Sequence, residues 1–300
     1  MNRDLEQSVA RAAPGIFVIL WSTGFIGTKY VLEGAEPMTY LAIRMALVAA
    51  LMVLIVLVAR PKLPNLIEIG HSAVAGLLIQ AIYLGGVSVA MYHSVPAGLA
   101  ALIPGLQPIL TSTLANRWLG ERVTKLQWVG LIFGLLGVLM VLHGRQMTGE
   151  MGWAWLGTCV ALVSITLGTL YQKRYCGRID WRAGNLVQFA ASAVLCGIGA
   201  WLFETRNVDW SLQFTLSLLW LAIVLSIGSI GVLYWLIRRG TATQAASLFY
   251  LVPATTALMA FFLFGERLDF LGILGMALCA AGVFLVNKPS KKPDRVSPGS

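Results

Sequence analysis

Charge is scarce in this 300-residue chain, with only 12% of residues Asp, Glu, Lys or Arg, against about 25% in an ordinary soluble domain. A water-soluble fold is thereby excluded. Acidic residues are scarcer than basic ones, 13 against 22, and all of them fall in termini, loops or helix ends. No carboxylate is left for mid-membrane, which disfavours export of cationic drugs through a buried Glu or Asp that doubles as proton carrier. The four cysteines, Cys159, Cys176, Cys196 and Cys279, form neither a CxxC pair nor a metal-ligand cluster, and are read as small packing residues. His71, His93 and His143 lie near helix ends, far in sequence from an acidic partner. HExxH, GxSxG and GxxxxGK[ST] are all missing, so no enzyme and no direct nucleotide drive is indicated, and no metal or cofactor is expected.

What the chain does have is apolar length. Hydrophobic residues make up 58% of it, in runs of the roughly 20 residues that cross a bilayer as a helix. The runs are continuous and lack the alternation a membrane barrel needs. They predict ten spans, near 14–32, 38–59, 71–92, 96–116 and 126–143, then 152–172, 183–203, 212–237, 242–264 and 270–287. Residues 1–13 form a cytoplasmic N-terminal segment with no small-x-small cleavage site before the first span. Residues 288–300, basic and rich in Pro and Ser, read as a disordered cytoplasmic tail.

The formal charge of +9 is not a nucleic-acid footprint, because its Lys and Arg residues sit in short breaks between apolar runs and form no face. It is a topology signal instead. Alternate loops divide the cations lopsidedly: one side holds seventeen, from Arg3 to Arg295, and the other only Arg145, Arg206 and Arg267. The positive-inside rule then places both termini in the cytoplasm of a multi-pass protein of the inner (plasma) membrane.

Sliding the chain by 145 positions lays 97–142 on 242–287. Pro108 meets Pro253, Gly120-Glu121-Arg122 meets Gly265-Glu266-Arg267, Gly130 meets Gly275, and Gly137-Val138 meets Gly282-Val283. At an offset of 144, Gly24 meets Gly168 and Lys29 meets Lys173. Five helices per copy is an odd number, so the second copy enters the membrane from the opposite side. The expected fold is therefore all-α and integral to the membrane, with inverted five-helix repeats at 14–144 and 151–287. Secondary transporters share that signature, with the solute site at the repeat interface.

Leu20-Trp21-Ser22-Thr23-Gly24-Phe25 followed by Lys29, together with the twice-used order of Ala-rich helix, Pro, Gly-Glu-Arg and Gly-rich helix (97–141 and 242–286), resembles the EamA-type branch of the drug/metabolite transporter superfamily. The resemblance covers residues 14–287. It implies ten helices in two inverted halves around a central cavity lined by helices 1, 3, 4, 6, 8 and 9, and export of amino acids or other metabolites.

Within the spans the candidate substrate-binding residues are Trp21 and Ser22 in helix 1, Gln80 and Tyr83 in helix 3, Gln107 in helix 4, Tyr171 in helix 6, Tyr234 in helix 8 and Tyr250 in helix 9. A buried amide has no partner in lipid, so Gln80, Gln107 and Gln188 should face protein or a wet cavity. The cavity helices that the resemblance implies favour the first two over Gln188. Pro104, Pro108 and Pro253 each remove a backbone donor deep in the membrane and mark expected helix breaks, with Thr255 and Thr256 beside the last. Two cations lie inside spans, where an unpaired charge costs about 2.5–3.5 kcal/mol or more. Lys29 and Arg44 either face the cavity and attract a substrate carboxylate or phosphate, or they pair with Glu33 and Glu36 and snorkel outward.

Glycines 130, 134, 137, 272, 275 and 282 give close-packing faces for assembly within the chain or as a homodimer. The expected partners are a small solute and the lipid bilayer, with no nucleic acid. The reading is a secondary exporter of a small neutral or zwitterionic metabolite, an amino acid by preference. The alternatives are an exporter of drugs or of organic anions recognised through Lys29 and Arg44, and a non-transporting membrane enzyme or assembly protein.

Overall fold

A computed structural model describes residues 3–93, 95, 100, 102–120, 123–142, 154–264 and 270–288. These form ten helical rods: α1 (Arg3–Leu32), α2 (Pro37–Ala59), α3 (Leu66–Tyr92), α4 (Leu102–Leu119), α5 (Lys125–Leu142), α6 (Ala154–Tyr175), α7 (Trp181–Phe203), α8 (Leu212–Arg239), α9 (242–264) and α10 (Phe270–Asn287). Among the described residues there is no strand, only an isolated antiparallel bridge between Ala35 and Val208. Six stretches are long and apolar enough to cross a membrane: Ala12–Leu32, α2, α3, α7, α8 and α10. The Gly-Glu-Arg turns at 120–122 and 265–267, His143 and the 289–300 tail lie outside the described residues, apart from Gly120. Helix α1 starts at Arg3, well before the expected span, and carries Pro14 within it.

Local sequence explains several helix starts. Asn65 and Glu68 form a capping box on α3, Thr241 and Gln244 form another on α9, and Asp180 and Ser211 cap α7 and α8. Helix α2 is different. It begins at Pro37, which needs no donor at that position, and its free amides are capped from another rod. Glu204, at the end of α7, accepts from the Met38 and Thr39 amides and the Thr39 hydroxyl, each at 2.7 Å.

Packing repeats when each rod is exchanged for its counterpart five rods on. Rods α5 and α10 pack on each other, as do α2 and α7; α3 and α4 pack on α6 as α8 and α9 pack on α1. Small residues make the central seam. A Cβ on Gly130 would come within 2.7 Å of the Gly282 carbonyl oxygen, and one on Gly137 within 2.6 Å of the Gly275 carbonyl. Residue numbers thus rise along α5 as they fall along α10, so these equivalent rods run antiparallel. Rods α2 and α7 do the same, with Met38 against Gly199 and Glu204 over the first turn of α2.

Two rods leave the α-helical pattern at equivalent places. Leu77–Ile82 in α3 and Trp220–Ser229 in α8 are π-helical. Shifting the first by 145 lands it inside the second. A π-turn leaves carbonyls without their usual i+4 donor, and the Ser226 hydroxyl donates to the carbonyl five residues back, at Leu221 (3.0 Å). Ser164 from α6 donates to the Leu78 carbonyl (2.9 Å).

The expected helix breaks at Pro104 and Pro108 are not seen in α4, whereas α9 departs from the α-helical pattern just before Pro253. Rod α4 continues as an α-helix through Pro108, and Pro104 falls in its first described turn. In α9 a 3-10 turn at Leu248–Tyr250 precedes Pro253, whose ring crowds the carbonyl four residues back.

Candidate functional site

The two π-segments bring backbone and side chains to a cavity of about 40 Å³ bounded by α1, α2, α3 and α8. Trp21, Thr28, Arg44, Gln80, Tyr83 and Ser88 supply its polar and aromatic lining. Phe25, Ile79, Leu225 and Ile230 complete the walls. Along α1 the lining positions recur one helical turn apart, at Trp21, Gly24 and Phe25, and Thr28, as one helix face requires. Gly24 is required there, since a Cβ would meet the Leu225 side chain at 2.4 Å.

The aromatic wall is built from three rods. The Trp21 and Tyr83 rings stack with centroids 6.3 Å apart and 21° between planes, and Phe249 of α9 meets Trp21 edge-on at 5.1 Å. Opposite lies Arg44, only 3% exposed. Its Nε donates to the Ser226 hydroxyl at 3.0 Å, and its titratable neighbours are Tyr40 and Cys196. Tyr40, one turn nearer the start of α2, is tied to Ser88 of α3 at 2.6 Å. The Gln80 amide is fully buried and makes no hydrogen bond.

Beneath the cavity the Tyr234 hydroxyl donates to the Gln188 carbonyl oxygen at 2.5 Å, and the Gln188 amide donates to Gln172 at 3.2 Å. Tyr234 also borders two crevices. One of about 400 Å³ lies between α1, α7 and α8, with Trp181, Gly231, Trp235 and Arg238 on its walls. The other, about 180 Å³, adds Gln172, Lys173 and Gly177. Arg238 donates to the Ile179 carbonyl, and Lys173 to that of Gly240. A separate apolar groove of about 540 Å³ between α1, α8 and α9, bordered by Tyr30, Trp220 and Phe262, shares no lining residue with the polar cavity.

The residues singled out from sequence therefore divide. Trp21, Arg44, Gln80 and Tyr83 converge on the cavity, and Tyr234 joins them from below. Ser22 lies behind the wall, donating to the Val18 carbonyl and, at 3.4 Å, to that of Val252. Lys29 is exposed, because it follows the lining residue Thr28 and so points about 100° away around α1. Its placement is a correction to the cavity-facing expectation. Gln107 packs α4 on α6 through Thr169 (3.1 Å), and Tyr250 is buried against Gly134 of α5. Both stand apart from the cavity because their rods turn those positions toward neighbouring helices. Tyr171 lies at the far end of α6, tilted against Tyr175 and bonded to His71 at 2.7 Å.

The sequence reading passed over Ser88, Ser226 and Gln172 and ranked Gln188 low. Gln172, Ser88 and Ser226 are polar residues within apolar runs, but nothing local shows which way they face.

The EamA-like transporter family matches residues 16–143 and again 152–288, once for each set of five rods. The uncharacterized inner membrane transporter YedA of Escherichia coli K12 is 28% identical over 268 residues, 89% of this chain and 87% of its own. A probable amino-acid metabolite efflux pump of the same strain is 28% identical over 90% of this chain and 92% of its own. A protein of known crystal structure, 20% identical, superposes with a TM-score of 0.74 over 93% of this chain and 96% of that one. With two family matches spanning nearly all of its rods, this multi-pass membrane protein belongs to the EamA-like transporter family.

Proposed function

We propose that this protein is a secondary transporter of the inner membrane that exports a small neutral or zwitterionic metabolite, of the amino-acid class, by alternating access. Ten spans cross the membrane as two inverted five-helix repeats, 14–144 and 151–287, with both termini in the cytoplasm. The observation that carries the reading is the half-open cavity with polar and aromatic lining where the matched π-segments of α3 and α8 meet, at the junction of the two sets of rods. Irregular backbone inside a membrane is tolerated where it lines a cavity, and such breaks in corresponding helices mark transport sites. The antiparallel α5–α10 seam supports inversion. The relative named as an amino-acid metabolite efflux pump supports the substrate class.

At about 40 Å³ the cavity has room for a few waters, against the roughly 300–1,000 Å³ of ligand pockets. Solute entry therefore requires α1, α2, α3 and α8 to part, which is what alternating access supplies. Among the described residues no acidic side chain lines the cavity, which supports a mechanism that does not run through a buried carboxylate.

Purified protein in liposomes, offered a panel of labelled amino acids, should show saturable flux for at least one. Gln80→Leu should reduce that flux by about tenfold, the worth of one buried polar contact to a charged solute, while the protein remains monodisperse. Silence across the panel would rule out the substrate class.

A further inference from the structure

We propose, resting on the transporter reading above, that Arg44 is the carboxylate anchor of the cavity and that the site reads its substrate's carboxylate and apolar side chain while leaving the amine unread. Amine-free apolar carboxylates should then occupy it as amino acids do.

The argument begins with the state of Arg44. A guanidinium is always charged and carries five donors in a planar fork that matches a carboxylate. Arg44 is buried and lines the cavity, with Nε given to Ser226 and no carboxylate among its titratable neighbours. It has no route to the surface for snorkelling. Tyr40, one turn closer to the helix start, is itself 1% exposed and closed over by its bond to Ser88.

Three carboxylates of that end are engaged elsewhere: Glu204 by the first turn of α2, Glu36 by the amide and hydroxyl of Thr205 at 2.7 and 2.6 Å, and Glu33 by Gln213 at 2.8 Å. A buried cation without an anion is costly, and an incoming carboxylate is the ligand that relieves it. The bond from Ser226 matters as well, because it fixes the fork from a π-segment of the opposite repeat. An anion drawn to Arg44 thus engages both repeats.

The rest of the lining offers a cation ring faces and neutral oxygens but no anionic partner to set against the charge of Arg44. Neither the cavity nor the two crevices below it include an Asp or Glu among the described residues. Those crevices carry Lys173 and Arg238 instead, with the Asp180 carboxylate near Arg238 but held by Arg182. The stacked Trp21 and Tyr83 rings offer a flat apolar surface beside the anchor, and the unbonded Gln80 amide offers a neutral donor and acceptor. An ammonium group would meet ring faces and neutral oxygens only. A carboxylate with an aromatic or aliphatic tail meets a partner for each part.

The test uses the purified full-length protein and three probes: 3-phenylpropionate, phenethylamine and phenylalanine amide. Thermal unfolding should shift upward and saturate with 3-phenylpropionate, and stay flat with the two amines. In Arg44→Gln the half-saturating concentration should rise by about tenfold or more, with partial recovery in Arg44→Lys. If Arg44→Gln fails to fold, the wild-type protein still decides. Amines protecting as well as 3-phenylpropionate, or 3-phenylpropionate giving no protection, overturns the anchor.

The two readings separate cleanly. Arg44-dependent protection by 3-phenylpropionate without amino-acid flux sinks the amino-acid class and keeps the anchor. Amino-acid flux whose preference for acid over amide is the same in Arg44→Gln as in wild type keeps the class and sinks the anchor.

Discussion

At the end of the bundle that carries Glu204, the α1–α2 and α7–α8 turns are stitched across the two repeats. Glu36 bonds Thr205, Glu204 bonds the first turn of α2, Gln213 bonds Glu33, and the Asp209 amide bonds the Gly34 carbonyl. At the opposite end the positions equivalent to Glu36 and Glu204, at the offset of 144, are Asp180 and Arg60. Asp180 spends its carboxylate on its own neighbour Arg182 at 2.8 Å, and Arg60 is an exposed helix cap. Around that end lie the two crevices beside Tyr234 and Arg238. One scaffold, used twice, is therefore joined through carboxylates at one end, whereas at the other His71 meets Tyr171 and Arg174 donates to the Trp118 carbonyl across the repeats, beside the two crevices. A near-symmetric frame is thus made unequal at its two ends by a few polar side chains.

Locking the carboxylate latch covalently should have the largest effect. Ala35 and Val208 face each other in an antiparallel bridge, whose Cα spacing of about 4.5–5.5 Å suits a disulfide. In a chain with its native cysteines replaced, the Ala35→Cys, Val208→Cys pair should stop proteoliposome flux on oxidation and restore it on reduction. Full flux through the oxidised protein would mean that the Glu204 end does not open during transport.

Filling the creviced end should be nearly as severe. A Cβ on Gly231 meets nothing within 4 Å, so Gly231→Phe can occupy the crevice without disturbing the fold. Flux should fall by about tenfold, the lower range for blocking a positioned site, with unchanged yield and thermal stability.

Weakening the latch should act more mildly. Glu204→Ala removes a helix cap worth about 1–2 kcal/mol and should lower the unfolding temperature by a few degrees. It should also speed maleimide labelling of a single cysteine at position 35, whereas Asp180→Ala, which cuts only a local contact, should leave that rate alone. Equal acceleration by both variants would erase the distinction between the ends.

The smallest effect concerns pH. The hydrogen bond from the Thr205 hydroxyl holds the Glu36 carboxyl below its ordinary 4.5, and the bond from Arg182 likewise lowers Asp180. A depressed carboxyl contributes fully above its unfolded value and is lost only as pH falls through the lower folded one. Labelling at position 35, taken relative to that of a free thiol at the same pH, should thus stay flat from about pH 8 to 5 and rise only below 4.5. A transition near neutrality would assign the latch to a group other than these carboxylates.

How much was legible in the residues beforehand follows the same division. The repeat was readable because the seam between α5 and α10 demands glycine at matched positions, and Gly130, Gly137, Gly275 and Gly282 recur in the chain. Trp21, Arg44, Gln80 and Tyr83 could be singled out because polar, charged or large aromatic groups in an apolar span require a partner. Their convergence was not readable. Lys29 shows why: a single residue beyond Thr28 turns it off the cavity face.

Proline pointed to α4 and α9, yet the segments that shape the cavity are the π-turns of α3 and α8, which contain no proline. They arise where Ser226 and Ser164 satisfy carbonyls that the regular helix would have used. Sequence also favoured Gln107 and Tyr250, because composition reports that a side chain needs a partner and not which rod provides it.

By itself, then, the chain's order of residues determined membrane residence, helical rods and their duplication, since these rest on local quantities: hydropathy summed over a span, cap chemistry and the spacing of small residues. Tertiary structure alone decided which polar groups meet, which carboxylates reach across the repeats and which end holds the crevices. Those outcomes depend on the rotation of each rod about its axis, set by contacts from rods far away in sequence.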